Sequence, residues 1–212
     1  MSDSLDVIGA DVRACRLCKL CSTRTVGVPG GGDPAADIFF IGEGPGFHED
    51  QQGRPFVGAA GQLLSEMLKL IDLRREDVFI TNVVRCRPPG NRDPLPDELA
   101  ACDTYTLRQL EVLQPKLIVT LGRYSMARFV GSGPMRDLHG RTKDWNGITC
   151  LAMYHPAAIL RTPTPEMRRI YAEDFRKIPP LLAEAQQKKA AALAAAAAAS
   201  QPAEQLDQLR LF

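Results

Sequence analysis

Short apolar runs alternate along this chain with segments that carry leucines at helical spacing. The apolar runs cover residues 37–41, 77–84, 116–121 and 148–154. Helices are expected at residues 7–14, 59–72, 97–113, 122–130 and 164–185. Because strands that alternate with helices form parallel sheets covered by helices, the chain is predicted to be α/β. We expect a single domain with a central, mainly parallel, four-stranded sheet and helices on both faces.

The composition fits one globular domain. The chain has 212 residues, of which 45% are hydrophobic and 24% are charged, enough for a sizeable core. The formal net charge of +1 argues neither for nor against nucleic acid, so any DNA contact must come from local basic clusters. No apolar run is long enough to span a membrane and no signal-peptide pattern is found. A cytoplasmic, nucleoid-associated monomer without a membrane partner is expected.

Residues 42–58, GEGPGFHEDQQGRPFVG, directly follow the first predicted strand. Glycines let the backbone turn sharply there and approach a ligand, while Glu43, Glu49 and Phe56 add acidic groups and an aromatic face. A nucleotide-phosphate loop is the alternative, but the glycine spacing of a dinucleotide fingerprint and a Gly-Lys-Ser/Thr triplet are both missing. Carboxylates would also repel phosphates. The loop is therefore predicted to bind a small, flat, polar ligand.

Other polar or glycine residues follow the remaining predicted strands. Asn82 ends the second strand, Gly122 follows the third and His155 follows the fourth. In parallel α/β sheets, ligands bind in the crevice outside the carboxyl ends of the strands. Four separate segments are thus predicted to meet in one cleft.

The motifs GEGPG, EDxxGRPFVG, TNVVRCRPPGNRDP and HPAAIL occur in this order. Together they resemble the successive motifs of family-four uracil-DNA glycosylases, the iron–sulfur branch of that superfamily, over residues 15–176. The resemblance implies a base-excision repair enzyme that hydrolyses the N-glycosidic bond of deoxyuridine in DNA and leaves an abasic site. No lysine lies in these motifs to form a Schiff base, so a monofunctional enzyme is expected.

For this reaction the nucleotide must be flipped into a pocket. Phe56 is expected to stack on uracil, Asn82 to pair with its N3–H and O4, and His155 to donate to O2 as negative charge develops there. Gly42 and Gly44 are expected to allow close approach of the base. The alternatives are a core phenylalanine, a turn-forming asparagine and a structural histidine before proline.

Two carboxylates are candidates to stabilise the oxocarbenium-like sugar or to orient water. Glu43 is the first choice, and Glu49 the second; Glu49 can instead limit space near C5 and so reject thymine. The best-known branch of the superfamily has an aspartate in this turn, where the present chain has Gly44. The DNA wedge is expected in the segment after His155, with Leu160 or Ile159 inserting.

The chain has six cysteines, which in a reducing compartment favour metal ligands over disulfides. The family resemblance implies that a 4Fe-4S cluster is held by Cys15, Cys18, Cys86 and Cys102. Four thiolates also suit zinc, and the family decides between the two metals. Cys21, which extends the first pair to C-x₂-C-x₂-C, is left spare, and Cys150 is expected in the core.

Two other functions remain open from the sequence. One is a broader deaminated-base glycosylase that excises hypoxanthine or ethenocytosine, as in the neighbouring iron–sulfur branch. The other, from a different class, is a non-catalytic protein: either an iron–sulfur protein that binds DNA or a nucleotide-binding domain.

The C-terminal part is predicted to lie outside the glycosylase domain, which covers residues 1–184. Residues 185–204 form an alanine-rich linker, and residues 205–212 a partner-binding peptide. The ending QLRLF resembles the QL(S/D)LF peptide with which bacterial repair proteins bind the sliding clamp, with Arg210 in place of serine or aspartate. The expected clamp contacts are Gln208, Leu209, Leu211 and Phe212.

Overall fold

The structure, a computed structural model, describes residues 3–199. Within this range, six strands form one mixed sheet in the order β1-β3-β2-β4-β6-β5. The strands are β1 (Gly31–Gly32), β2 (Ile38–Gly42), β3 (Phe79–Asn82), β4 (Leu117–Leu121), β5 (Thr142–Trp145) and β6 (Ile148–Met153).

The centre of the sheet is parallel, as the alternation of strands and helices predicts. β2 pairs in parallel with β3 on one side and with β4 on the other, and β4 pairs in parallel with β6. Every residue of β2, β3 and β4 is buried. Burial on both faces explains why these strands are continuous apolar runs rather than alternating ones.

The prediction of four strands is wrong, because an antiparallel strand is added at each edge. β1 consists of two glycines that pair with β3, and so has no side-chain pattern to reveal it. β5 (TKDW) is mostly exposed and pairs with β6 across a two-residue turn at Asn146 and Gly147. Both turn residues have positive φ, 52° and 82°, as a type I′ hairpin requires. The Asn-Gly pair is the sequence signal for this missed hairpin.

Helices cover both faces of the sheet, as predicted. They are α1 (Leu5–Ala14), α2 (Phe47–Gln52), α3 (Ala59–Lys69), α4 (Pro96–Leu113), α5 (Arg123–Phe129), α6 (Met135–Leu138), α7 (Pro156–Arg161), α8 (Pro165–Arg176) and α9 (Ile178–Ala199). One core layer joins the sheet to α3, α7, α8 and the start of α9. A second joins the opposite face to α4, α5 and α6. α1 packs on α4 through Ile8, Val12 and Tyr105.

The helix predicted at residues 164–185 is divided into α8 and α9. Pro179 and Pro180 lie in the first turn of α9, where the missing N–H groups of proline break no helical hydrogen bond. α9 continues through the predicted domain boundary at residue 184. Beyond that boundary Gln186 donates to Asp37 Oδ2 over 2.8 Å, and Lys189 donates to the Gln114 carbonyl over 3.1 Å.

The end of the linker and the predicted clamp peptide, residues 200–212, lie outside the described residues. Among the helices that are described, none combines the length and apolar character needed to cross a membrane.

Candidate active site

A cleft of about 710 Å³ opens at the carboxyl edge of the sheet. The segments that follow β2, β3, β4 and β6 all contribute to its wall, as the sequence predicts. Its lining includes Glu43, Gly44, Glu49, Phe56, Asn82, Gly122, His155 and Arg161. The structure therefore brings the predicted catalytic and binding residues together around one space.

Gly42 lies next to two of the side chains that line the cleft and leaves room for both. It pairs with Asn82 across β2 and β3. A Cβ on Gly42 would lie 2.5 Å from Phe56 Cζ and 2.6 Å from Asn82 Oδ1. Only glycine is compatible with both neighbours.

Asn82 is a buried amide with an unsatisfied acceptor. Only 2% of the residue is exposed, and Oδ1 has no hydrogen-bond partner within residues 3–199. A buried acceptor without a partner costs free energy, and such groups in native proteins call for an explanation. Asn82 lines the cleft, so a ligand N–H is a partner that this acceptor suits.

The backbone of Phe56 is held in a conformation that is rare for an aromatic residue. Its φ is 52°, in the left-handed region. The guanidinium of Arg75 fixes the loop by donating to the carbonyls of Phe56 and Pro55, each over 2.8 Å. The ring centroid of Phe56 lies 5.6 Å from that of His155. A strained backbone next to a cleft distinguishes Phe56 from an ordinary core phenylalanine.

His155 is a neutral hydrogen-bond donor in this environment. Burial and, to a smaller extent, the charge of nearby Arg161 together lower the pKa of His155 to about 4. Nδ1 accepts from the Ala157 N–H over 3.1 Å at the start of α7. Since Nδ1 is the acceptor, the proton of the neutral ring is on Nε2. The imidazole can therefore offer Nε2–H to a ligand in the cleft.

Glu49 uses its carboxylate to organise the glycine-rich loop. Oε1 accepts from the backbone N–H groups of Val57 and Gly58, both over 2.8 Å. Oε2 accepts from the Gly46 N–H over 3.1 Å. Both oxygens thus join the two ends of the loop that carries Phe56.

Glu43 differs from Glu49 in its surroundings. It is half-buried in the cleft wall, where burial raises its pKa. The charge of Asp93 raises the pKa as well, whereas Arg123 and Arg161 lower it. Glu43 is therefore a carboxylate that interacts electrostatically with the charged residues of the cleft.

Asp93 and Arg123 form an ion pair at the cleft wall that was not predicted from the sequence. Asp93 lies in the proline-rich segment after β3, and Arg123 is the first residue of α5. The sequence signal that could have placed Arg123 at the cleft is its position directly after Gly122, which was predicted to lie there. Of the two wedge candidates on α7, Ile159 is buried in the core whereas Leu160 is 36% exposed, so only Leu160 is accessible.

Four of the cysteines lie in neighbouring positions beside α1, β3 and α4. Cys86 and Cys102 are buried with Leu20 and Val84, and Cys18 packs against them. Cys15, the residue directly after α1, packs against the adjoining cluster of Ile8, Val12 and Tyr105. Arg24, which sequence reasoning missed, donates to Cys86 Sγ over 3.0 Å. Within residues 3–199, no three His, Cys, Asp or Glu side chains are arranged to hold a metal ion. Cys150 is in the core, as predicted.

The model of the uracil DNA glycosylase superfamily matches residues 29–176, and the chain belongs to this superfamily. It is 48% identical over 187 residues to a type-4 uracil-DNA glycosylase of Sulfurisphaera tokodaii, covering 83% of this chain and 84% of the relative. A type-4 uracil-DNA glycosylase of Archaeoglobus fulgidus is 46% identical over 196 residues, which is 87% of this chain and 96% of the relative.

A type-5 uracil-DNA glycosylase of Thermus thermophilus matches less of the chain. It is 40% identical over 145 residues, which is 53% of this chain and 66% of the relative. The resemblance to the family-four branch is therefore confirmed.

Proposed function

We propose that this protein hydrolyses the N-glycosidic bond of deoxyuridine in DNA, releasing uracil and leaving an abasic site. The observation that carries the proposal is the buried Oδ1 of Asn82, which lacks a hydrogen-bond partner among residues 3–199, in a residue that lines the cleft with Phe56 and His155. Relatives named type-4 uracil-DNA glycosylase cover most of the chain and support the same reaction.

Recognition of the base rests on Asn82 and Phe56. Uracil that is flipped into the cleft offers N3–H to Oδ1 of Asn82 and accepts from the amide N–H at O4. Cytosine presents an acceptor at N3 and donors at C4, which is the reverse pattern, so its binding leaves buried polar groups unpaired. Phe56 supplies the stacking surface, and its positive φ aims the ring at the space beside Gly42.

Bond cleavage sends the electrons of the N1–C1′ bond into the uracil ring. Negative charge then develops at O2, where the Nε2–H of His155 donates. Because His155 stays neutral, this is electrostatic stabilisation without proton transfer. One donor of this kind contributes about 10²–10³ in rate.

The remaining positive charge lies on the sugar, and a water molecule must add to C1′. We assign the stabilisation of this charge and the orientation of water to Glu43. The carboxylate of Glu43 interacts electrostatically with Asp93, Arg123 and Arg161 at the cleft wall. Both oxygens of Glu49, in contrast, already accept hydrogen bonds from backbone N–H groups. We assign Glu49 to holding the loop in place, and Leu160 to filling the gap in the DNA.

The reaction is tested with oligonucleotides that contain one uracil in single strands, opposite guanine or opposite adenine. The protein should release uracil, and subsequent alkali treatment should cut the strand at the abasic site left in its place. Matched oligonucleotides with hypoxanthine test for the broader glycosylase. No cutting in any uracil context contradicts the proposal, and would favour a non-catalytic DNA-binding protein.

We further propose that Cys15, Cys18, Cys86 and Cys102 hold a 4Fe-4S cluster. Although no three of the described side chains lie in a metal-binding arrangement, Cys18, Cys86 and Cys102 pack together and Arg24 donates to Cys86 Sγ. Both observations support this donor set, since hydrogen bonds to sulfur are a usual feature of such sites. When bound, the cluster would join the segment after β3 to α1 and α4. Cys102→Ser should lose iron and the broad absorbance near about 400 nm, whereas Cys21→Ser should keep both. If Cys21→Ser loses the iron and Cys102→Ser keeps it, the proposed ligand set is contradicted.

The C-terminal peptide is proposed to bind a bacterial sliding clamp through Gln208, Leu209, Leu211 and Phe212. A tether would hold a monomeric enzyme at replicating DNA in the cytoplasm while its active site stays free to move. Deletion of residues 208–212 should abolish clamp binding and leave excision on short oligonucleotides unchanged. Equal clamp binding by the deletion variant rules out this peptide as the contact.

A further inference from the structure

An exposed aromatic side chain stands beside the cleft without a role in the mechanism above. Phe47, the first residue of α2, is 53% exposed. The guanidinium of Arg87 lies over its ring, 5.3 Å from the ring centroid. Arg87 Nε in turn donates to Asn91 Oδ1 over 2.7 Å. Phe47 and Arg87 together form what we call the rim stack.

The rim stack is attached to the wall of the active site on both sides. Gly46, directly before Phe47, lines the cleft, and so do Pro88, directly after Arg87, and Asn91. The stack thus joins the segments that follow β2 and β3. A nucleotide next to the flipped one must leave the cleft along its wall, because the two share a phosphate.

The charge of Arg87 is available to a phosphate. Other arginines of this region are paired with carboxylates: Arg92 with Glu98 over 2.6 Å, and Arg123 with Asp93. Within the described part of the chain, the side-chain hydrogen bond of Arg87 goes to a neutral amide oxygen. A guanidinium that is planar, charged and free of a carboxylate suits both phosphate binding and stacking.

We propose that the rim stack binds the nucleotide that flanks the flipped uracil, with its base stacked on Phe47 and its phosphate close to Arg87. This inference rests on the proposed function and deepens it. Stacking on an aromatic ring tolerates every base, so the subsite reads whether the neighbour is unstacked rather than which base it is. The subsite favours uracil in single-stranded or locally opened DNA.

The subsite is tested with the full-length protein and a single-stranded oligonucleotide that carries a non-cleavable 2′-fluoro-deoxyuridine. 2-Aminopurine is placed on its 5′ side in one probe and on its 3′ side in another. Binding should quench the fluorescence at one of the two positions, because stacking quenches this base. Phe47→Ala should remove the quenching and weaken binding about 5- to 150-fold, as the loss of a base–aromatic stack does. Phe47→Trp should keep both the quenching and the affinity of the wild type.

Two further variants separate stacking from general effects. Arg87→Lys keeps the charge but loses the planar group, and should lie between the wild type and Arg87→Ala in affinity. Leu107→Ala removes another exposed apolar side chain on α4, and Arg176→Ala another exposed cation on α8; both should leave quenching unchanged.

The result distinguishes this subsite from the reaction itself. Uracil excision by the wild type tests the reaction, whereas quenching and its dependence on Phe47 test the subsite. Equal affinity and equal quenching in the wild type and Phe47→Ala, or no quenching at either position, overturns the rim stack even if uracil is excised.

Discussion

Gly42 and Asn82 are opposite each other on the parallel strands β2 and β3, and their closeness leaves no space for a side chain at residue 42. The same position faces the ring of Phe56. One glycine thus sets the distance between the amide proposed to read uracil and the ring proposed to stack on it.

Gly42→Ala is expected to disable the enzyme by displacing these two groups. A methyl group forced against Phe56 and Asn82 should destabilise the fold by about 1–3 kcal/mol and reduce kcat/KM at least about 100-fold, as misplaced catalytic geometry does. Excision rates and urea unfolding measure the two effects. Gly31→Ala is the matched control, because a Cβ there meets nothing within 4 Å. Equal losses in both variants would contradict the account.

Asn82→Ala should separate activity from stability. Removal of the amide deletes the proposed uracil contact, so the excision rate should fall at least about 100-fold. It also removes a buried acceptor that has no partner in residues 3–199, which offsets part of the packing loss, so Tm should change little. Near-wild-type turnover would remove Asn82 from the site, whereas unfolding would assign it a structural role.

Glu43→Gln should change the acidic limb of the pH–rate profile. Burial raises the pKa of Glu43, so in the wild type kcat should fall as the pH decreases through this raised pKa and the carboxylate becomes neutral. The glutamine variant should be slower throughout and lack that limb. Glu49→Gln is the comparison: it should lower stability by weakening the loop contacts but keep the limb. An unchanged limb in Glu43→Gln refutes the assignment.

His155 should make stability depend on pH. Its pKa is lowered by burial from 6.5 to about 4 in the folded protein, so between these values the unfolded chain binds more protons. The free energy of unfolding should therefore decrease as the pH falls from about 6.5 to 4, by up to about 3 kcal/mol from this residue. Urea unfolding of His155→Gln should show a smaller decrease. The exposed His48→Gln should behave as the wild type; a slope unaffected by His155→Gln contradicts a buried neutral imidazole.

The centre of the fold could be predicted because its signals are local. Buried parallel strands require continuous apolar runs, and the polar residues that end them must meet at one edge. The edge strands gave weaker signals, since β1 is formed by backbone alone and β5 is a polar, exposed strand. The short helix α2 was also missed, because only six residues form it.

The sequence predicts which residues meet in the cleft, but it does not predict which role each of them has. Glu43 and Glu49 are equivalent acids in the sequence, and only the hydrogen bonds of Glu49 to three backbone N–H groups distinguish them. Likewise, no local sequence pattern predicts the ion pair of Asp93 with Arg123 or the hydrogen bond from Arg24 to Cys86. Such pairings depend on the packing of segments that are distant along the chain.

The most direct test of the central claim is to identify the products by mass spectrometry. A single-stranded oligonucleotide with one deoxyuridine is incubated with the wild-type protein and analysed without alkali. Monofunctional hydrolysis predicts free uracil and an intact strand with one abasic site in a 1:1 ratio. An unchanged oligonucleotide, or a strand already cut at the former uracil, would contradict the mechanism.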